Sequence, residues 1–192
     1  MRAIVPPAEP TTPDEPDSPG PDEPPSIKVQ LVIHTDIDGM PLDGWLDREA
    51  ARAIALCGLD SAMLNLVIVA DDEMAELHEQ YTGVSGTTDV LTFDLTNSAE
   101  GASAPGSEQT PLSIEADIIL CLDEAKRQAE QRGHETRHEL LLYAVHGLMH
   151  LLGEDDHDEA AYERMHARED ALLQQMGFGP LFNPDRDADS TP

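Results

Sequence analysis

The run His146-Gly147-Leu148-Met149-His150-Leu151-Leu152-Gly153 constrains this chain more than any other stretch. Every position that is not histidine or glycine is apolar. Leu140, Leu141, Tyr143, Ala144 and Val145 extend the same character upstream. A helix over 135–152 would have no wet face, so it belongs inside the protein with other elements packed around it. His146 and His150 would leave that helix on one side, about one turn or ~6 Å apart. Two imidazoles so placed suit one zinc ion, whose nitrogen ligands lie at ~2.0–2.1 Å. Gly153 ends the helix, because glycine takes the left-handed conformation without steric cost. The returning loop can bring His157 to a third position and leave the fourth to water, which describes a catalytic zinc rather than a structural one. In the zinc-peptidase pattern the residue after the first histidine is a glutamate acting as general base. Here that residue is Gly147, so the usual peptidase base is missing.

The helix needs a domain to enclose it, and composition sets the limits of that domain. Residues 1–26 alternate prolines with acids, and 183–192 are similar in kind; both are predicted to be disordered tails. That leaves 27–182 as one domain of common size. The net charge is −28, and the tails account for only −7 of it, so the domain keeps −21. Such a balance argues against nonspecific binding to DNA or to an anionic membrane. Cys57 and Cys121 lack metal-type spacing and read as buried free thiols of a reducing compartment. No apolar run reaches ~18 residues and no signal-peptide core is visible, so a soluble cytoplasmic protein is expected.

Hydrophobic periodicity predicts strands at 27–36, 63–70, 87–94 and 114–122. It predicts helices at 42–57, 71–81, 123–132, 135–152 and 158–176. Asp43 and Asp71 read as N-caps, Trp45 as a core residue and 96–112 as a surface loop. In the last helix Arg168 and Glu169 fall close to an otherwise apolar stripe of Ala161, Met165, Leu172 and Met176. His34, His78, His134, His138 and His166 are expected in solvent. The whole reads as an α+β domain, a mixed sheet of about four strands packed against the buried helix that carries the histidines.

Three motifs together resemble the YbeY family of ribosomal RNA maturation factors: Thr88-Asp89-Val90-Leu91-Thr92-Phe93, Ala116-Asp117-Ile118-Ile119-Leu120-Cys121, and the histidine run ending at His157. The resemblance covers 27–182. It implies a zinc-dependent endoribonuclease of single-stranded RNA, with one zinc ion held by His146, His150 and His157. It also implies a role in small-subunit ribosomal RNA processing and ribosome quality control, with ribosomal RNA and the small ribosomal subunit as partners. Two departures stand out. The family pattern has one residue fewer between the second and third histidines, so Asp155 or Asp156 can replace or join His157, zinc also accepting carboxylate oxygen. Many members carry an arginine seven residues before the Asp89 position, where this chain has Thr82.

The expected chemistry is cleavage of RNA by hydrolysis or transesterification. Proton transfer would fall to a zinc-activated water, to Asp155 or Asp156, or to the RNA 2′-hydroxyl. Asp89 or Asp117 could orient a ligand histidine from behind, since such histidines donate their other N–H to a carboxylate or carbonyl. Asp89 could equally bond its own backbone at the strand start, and Asp117 could be a simple edge acid. Two rivals remain: a zinc hydrolase of peptides or other small substrates, and a ribosome-associated binding factor whose zinc is structural.

Overall fold

The computed structural model describes residues 25–42, 44–96, 113–179 and 181. Nearly all of the two tails, most of the 96–112 loop and the expected Asp43 cap lie outside the described residues. In chain order the elements are β1 (Ser26–Ile33), α1 (Leu46–Leu56), β2 (Ser61–Val69), α2 (Asp71–Thr82), β3 (Val90–Asp94), β4 (Ser113–Cys121), α3 (Leu122–Arg132), α4 (Thr136–Leu151) and α5 (Glu159–Gln175). The strands form one mixed sheet in the order β1-β2-β4-β3. β1, β2 and β4 run parallel, and β3 lies antiparallel to β4. Among the described residues the domain is therefore α+β, with the four strands and five helices that periodicity predicts.

The period-2 pattern of the strands decides which face becomes the core. Leu64, Leu66 and Ile68 of β2 and Ala116, Ile118 and Leu120 of β4 are buried in register with one another. They join one cluster with α1, α4 and α5. The opposite face is covered at one end by α2, whose Met74 packs with Val69 and Cys121 against Val67, Leu91 and Ile119. Asp117, between the buried Ala116 and Ile118, points to that opposite face and accepts a 2.7 Å hydrogen bond from Asn65 Nδ2. It is thus on the wrong side of the sheet to support the histidines.

α4 runs through the core as its composition requires, with 140–145 and 147–149 all buried. Its approach to the sheet is set by Gly147. A Cβ there would lie 2.9 Å from Thr92 Oγ1 and 3.0 Å from two carbons of Ile118. Only a residue without a side chain lets the helix lie this close to β3 and β4. Asp71 is not the cap that the sequence suggests. It is the first residue of α2, and its N–H donates to Asp123 of α3 at 3.0 Å. Its own carboxylate takes two hydrogen bonds from the Arg127 guanidinium, at 2.6 and 2.8 Å. Helix α3 thus both caps and clamps α2.

Several histidines expected in solvent are instead engaged. His134 and Arg132 pair with Glu139, a carboxylate with no exposure at all. His138 packs between Trp45 and Phe178. A buried charge of this kind is tolerated only because both oxygens are matched.

Replacing Gly147 by Ala is expected to destabilise the domain by about 1–3 kcal/mol through overpacking, read from urea unfolding at unchanged m-value. The Arg127 fork holds the Asp71 carboxyl below its usual range. Its contribution is complete above the unfolded carboxylate pKa and is lost as pH falls through the lower folded value. Because the pair is partly exposed, Arg127→Ala should cost only ~0.2–1 kcal/mol at pH 7. That difference from wild type should shrink as the pH drops below the carboxylate range.

Candidate metal centre

One turn apart on α4, His146 and His150 bring their Nε2 atoms to 3.2 Å. The other ring nitrogen of each is committed. His150 Nδ1 lies 3.2 Å from the backbone oxygen of Glu154. A carbonyl can only accept, so Nδ1 carries the hydrogen and Nε2 presents a lone pair. His146 Nδ1 lies 2.7 Å from Glu169 Oε1. Burial pushes the Glu169 carboxyl up, but hydrogen bonds from His146 and His166 outweigh it and hold the group below the ordinary carboxylate range. His146 Nδ1 donates to the Glu169 carboxylate, so in the neutral ring the Nε2 lone pair is directed at the same point as that of His150. Burial lowers the His146 pKa, yet the bond to Glu169 and the charges of Glu169, Asp89 and Asp156 leave it raised.

Two nitrogen lone pairs facing one another repel unless a proton or a metal cation lies between them. Tetrahedral ligands at ~2.0–2.1 Å from a metal lie ~3.3 Å apart, which the observed separation matches. A candidate third donor comes from the loop after the helix. Gly153 adopts φ +85° and its N–H bonds back to the His150 carbonyl. The chain then returns towards α4 before Asp158 caps α5 by accepting the Ala161 N–H at 2.8 Å. On this return Asp156 comes within the same 4.8 Å donor group as His146 and His150.

His157 does not join them. Its side chain is 86% exposed and its Nδ1 is bonded to Asp155. The physical reason is the extra residue in the loop: Asp156 reaches the histidine pair, and His157 is carried one position beyond it. Asp155 is likewise exposed and turned to His157, so it stands away from the pair. A second donor group, Asp155, Asp156 and His157, belongs to this exposed loop; a third, His146, His166 and Glu169, is already closed by its own hydrogen bonds.

Asp89 lines the centre, but Oδ1 is used locally, accepting from the Val90 N–H and from Thr88 Oγ1, both at 3.0 Å. The carboxylate that orients a histidine from behind is Glu169, which the sequence reading passed over. His166, expected in solvent, is buried, bonds the other Glu169 oxygen at 2.6 Å and stacks on His146 at 5.7 Å. The available signal was an acid, Glu169, falling close to the apolar stripe of the last helix.

A small cavity of about 50 Å³ touches His146, His166 and Glu169. It shares Asp89, Arg132 and Tyr143 with a more open cleft of about 360 Å³. Thr82 closes the end of α2 by donating to the His78 carbonyl and brings no charge to either.

The sequence profile of the Endoribonuclease YbeY family matches residues 44–177. The chain belongs to the YbeY endoribonuclease family. It is 36% identical over 157 residues to Endoribonuclease YbeY of Desulfitobacterium hafniense, covering 78% of this chain and 99% of that one. With the Corynebacterium efficiens YbeY it shares 41% over 151 residues, covering 77% and 74% of the two chains. A Thermotoga maritima protein solved in solution superposes with a TM-score of 0.47 at 24% identity, covering 86% of this chain and 99% of that one. Among the described residues no helix is long and apolar enough to cross a membrane.

If Glu169 fixes the tautomer of His146, Glu169→Gln should weaken metal binding ~10–100-fold, as loss of such outer partners does. Competition titration against a chromogenic chelator measures this directly, and equal affinity would remove Glu169 from the account.

Proposed function

We propose that this chain is a zinc-dependent endoribonuclease that cleaves single-stranded RNA, holding one zinc ion through His146, His150 and Asp156. The observation that carries the reading is the pair of Nε2 atoms 3.2 Å apart, each with its Nδ1 hydrogen engaged elsewhere and a carboxylate within reach. Two imidazoles and a carboxylate are an accepted zinc set, and three protein ligands leave a position for water or substrate. Zinc bound there would supply Lewis acidity towards a phosphoryl oxygen and would activate a water near neutral pH.

The chain's own residues supply positioning. Glu169 and the Glu154 carbonyl hold the two imidazoles in one tautomer. Gly147 cannot be replaced by an acidic base, since its Cβ direction is filled by Thr92 and Ile118. This counts against a peptidase. The acid beside both the cleft and His146 is Asp89, and we assign it, rather than Asp155 or Asp156, the role of proton acceptor. A 2′-hydroxyl of bound RNA is the group whose proton it would take.

The relatives carry the name endoribonuclease, which supports RNA as substrate. We further propose small-subunit ribosomal RNA as the target and the small ribosomal subunit as partner, in ribosomal RNA maturation and ribosome quality control. With a net charge of −28, the chain has no long-range attraction for RNA, so contact must come from the metal and from short-range hydrogen bonds.

Metal content and RNA cleavage test this together. His146→Ala should lose bound zinc and cleavage. Asp156→Ala should lower zinc affinity well below that of His157→Ala, which should stay near wild type; the reverse order would restore His157 as the third ligand. Binding of unstructured RNA should depend weakly on salt, with a log–log slope of magnitude about 1–2, because few cations meet phosphates.

A further inference from the structure

Tyr143 lies on α4 three residues before His146, so both side chains leave the same side of the helix. It is 4% exposed, and its hydroxyl is buried with no hydrogen-bond partner among the described residues. Leaving a buried hydroxyl unmatched is unfavourable, and phenylalanine would fill the same space without that penalty. The hydroxyl is therefore not explained by packing. Tyr143 is also one of the residues shared by the small cavity at His146 and the open 360 Å³ cleft, whose size falls within the ~300–1,000 Å³ of small-molecule sites.

The rest of the cleft says what would satisfy that hydroxyl. Its wall is polar: Thr87, Thr88 and Gln128 offer hydroxyls and an amide, Arg132 a cation, and Asp89 and Glu124 carboxylates. Burial and the nearby charges of Glu139, Asp89 and Glu124 push the Tyr143 phenol up, so it stays protonated and acts as a donor at any working pH. Arg132 is already paired with Glu139, and Glu124 with Arg127 and Gln128, so the group of this wall left to satisfy is the Tyr143 hydroxyl, to which a ligand must offer an acceptor oxygen. A bare anion meets two carboxylates and fits poorly. A ribonucleotide carries phosphate oxygens that accept and ribose hydroxyls that do both.

We propose that this cleft is the nucleotide subsite beside the cleavage centre and that Tyr143 positions the RNA there. Its hydroxyl donates to a sugar–phosphate oxygen of the nucleotide flanking the scissile bond. The inference rests on the endoribonuclease reading for its substrate, and it supplies a short-range contact on a chain that has Thr82 in the arginine position.

The test uses the full zinc-loaded chain and its Tyr143→Phe variant. Three readouts are needed: the thermal midpoint, the affinity for a uridine monophosphate probe by calorimetry, and kcat and KM for a short unstructured RNA. The expected result is an equal or higher midpoint, nucleotide binding weakened about tenfold and RNA KM raised by a similar factor. Equal nucleotide affinity and equal KM in the two proteins would overturn the subsite, whether or not RNA is cleaved. So would a lowered midpoint, which would mean that the hydroxyl has an internal partner. If wild type cleaves no RNA but binds the nucleotide through Tyr143, the nuclease reading fails and the subsite stands.

Discussion

Glu169 lies wholly inside the protein, one oxygen against His146 Nδ1 and the other against His166 Nδ1. Burying a carboxylate is unfavourable unless charge and hydrogen bonds compensate it, and here both come from imidazoles. The arrangement works in two directions. It anchors α5 to α4 through a polar contact within an otherwise apolar interface, and it fixes which nitrogen of His146 faces outward. The Glu154 carbonyl does the same for His150 at the mouth of the loop. A donor pair of defined tautomer follows from these two acceptors, and the chemistry attributed to the domain depends on it.

The sheet and the helices were legible in the sequence because each rests on a local period. Ile114, Ile118 and Leu120 announce β4 as plainly as the unbroken apolar run announces α4. Features decided by distant contacts were not legible. The cap of α2 is supplied by Asp123, 52 residues on, and no local rule finds it. The face on which Asp117 emerges depends on which side of the sheet α4 chooses. Of the donors, His146 and His150 follow from helical spacing alone. Asp156 in place of His157 depends on the path of a loop, and one residue of difference redirects it. Glu169 was visible only as an irregularity in an amphipathic pattern, which is how a buried polar group looks before its partner is known, and His166 was read as solvated.

Electrostatics give the domain an unusual character for one that handles RNA. The charge of −21 on 27–182 repels phosphate at a distance, and the cleft itself mixes Arg132 with Asp89 and Glu124. Recognition must then be short in range and directional, built from hydroxyls, an amide and a metal rather than a cationic track. Selectivity of this kind comes from shape and hydrogen bonding rather than from long-range attraction.

The close seating of α4 at Gly147 has one last consequence. The sheet gives the two helical donors nowhere to retreat, whereas the third donor hangs on a loop that begins at a left-handed glycine and carries solvent-facing neighbours. In the proposed centre two donors would be fixed by the buried helix and the third by the loop, so release of a bound metal would depend on the five residues after the helix rather than on the helix itself.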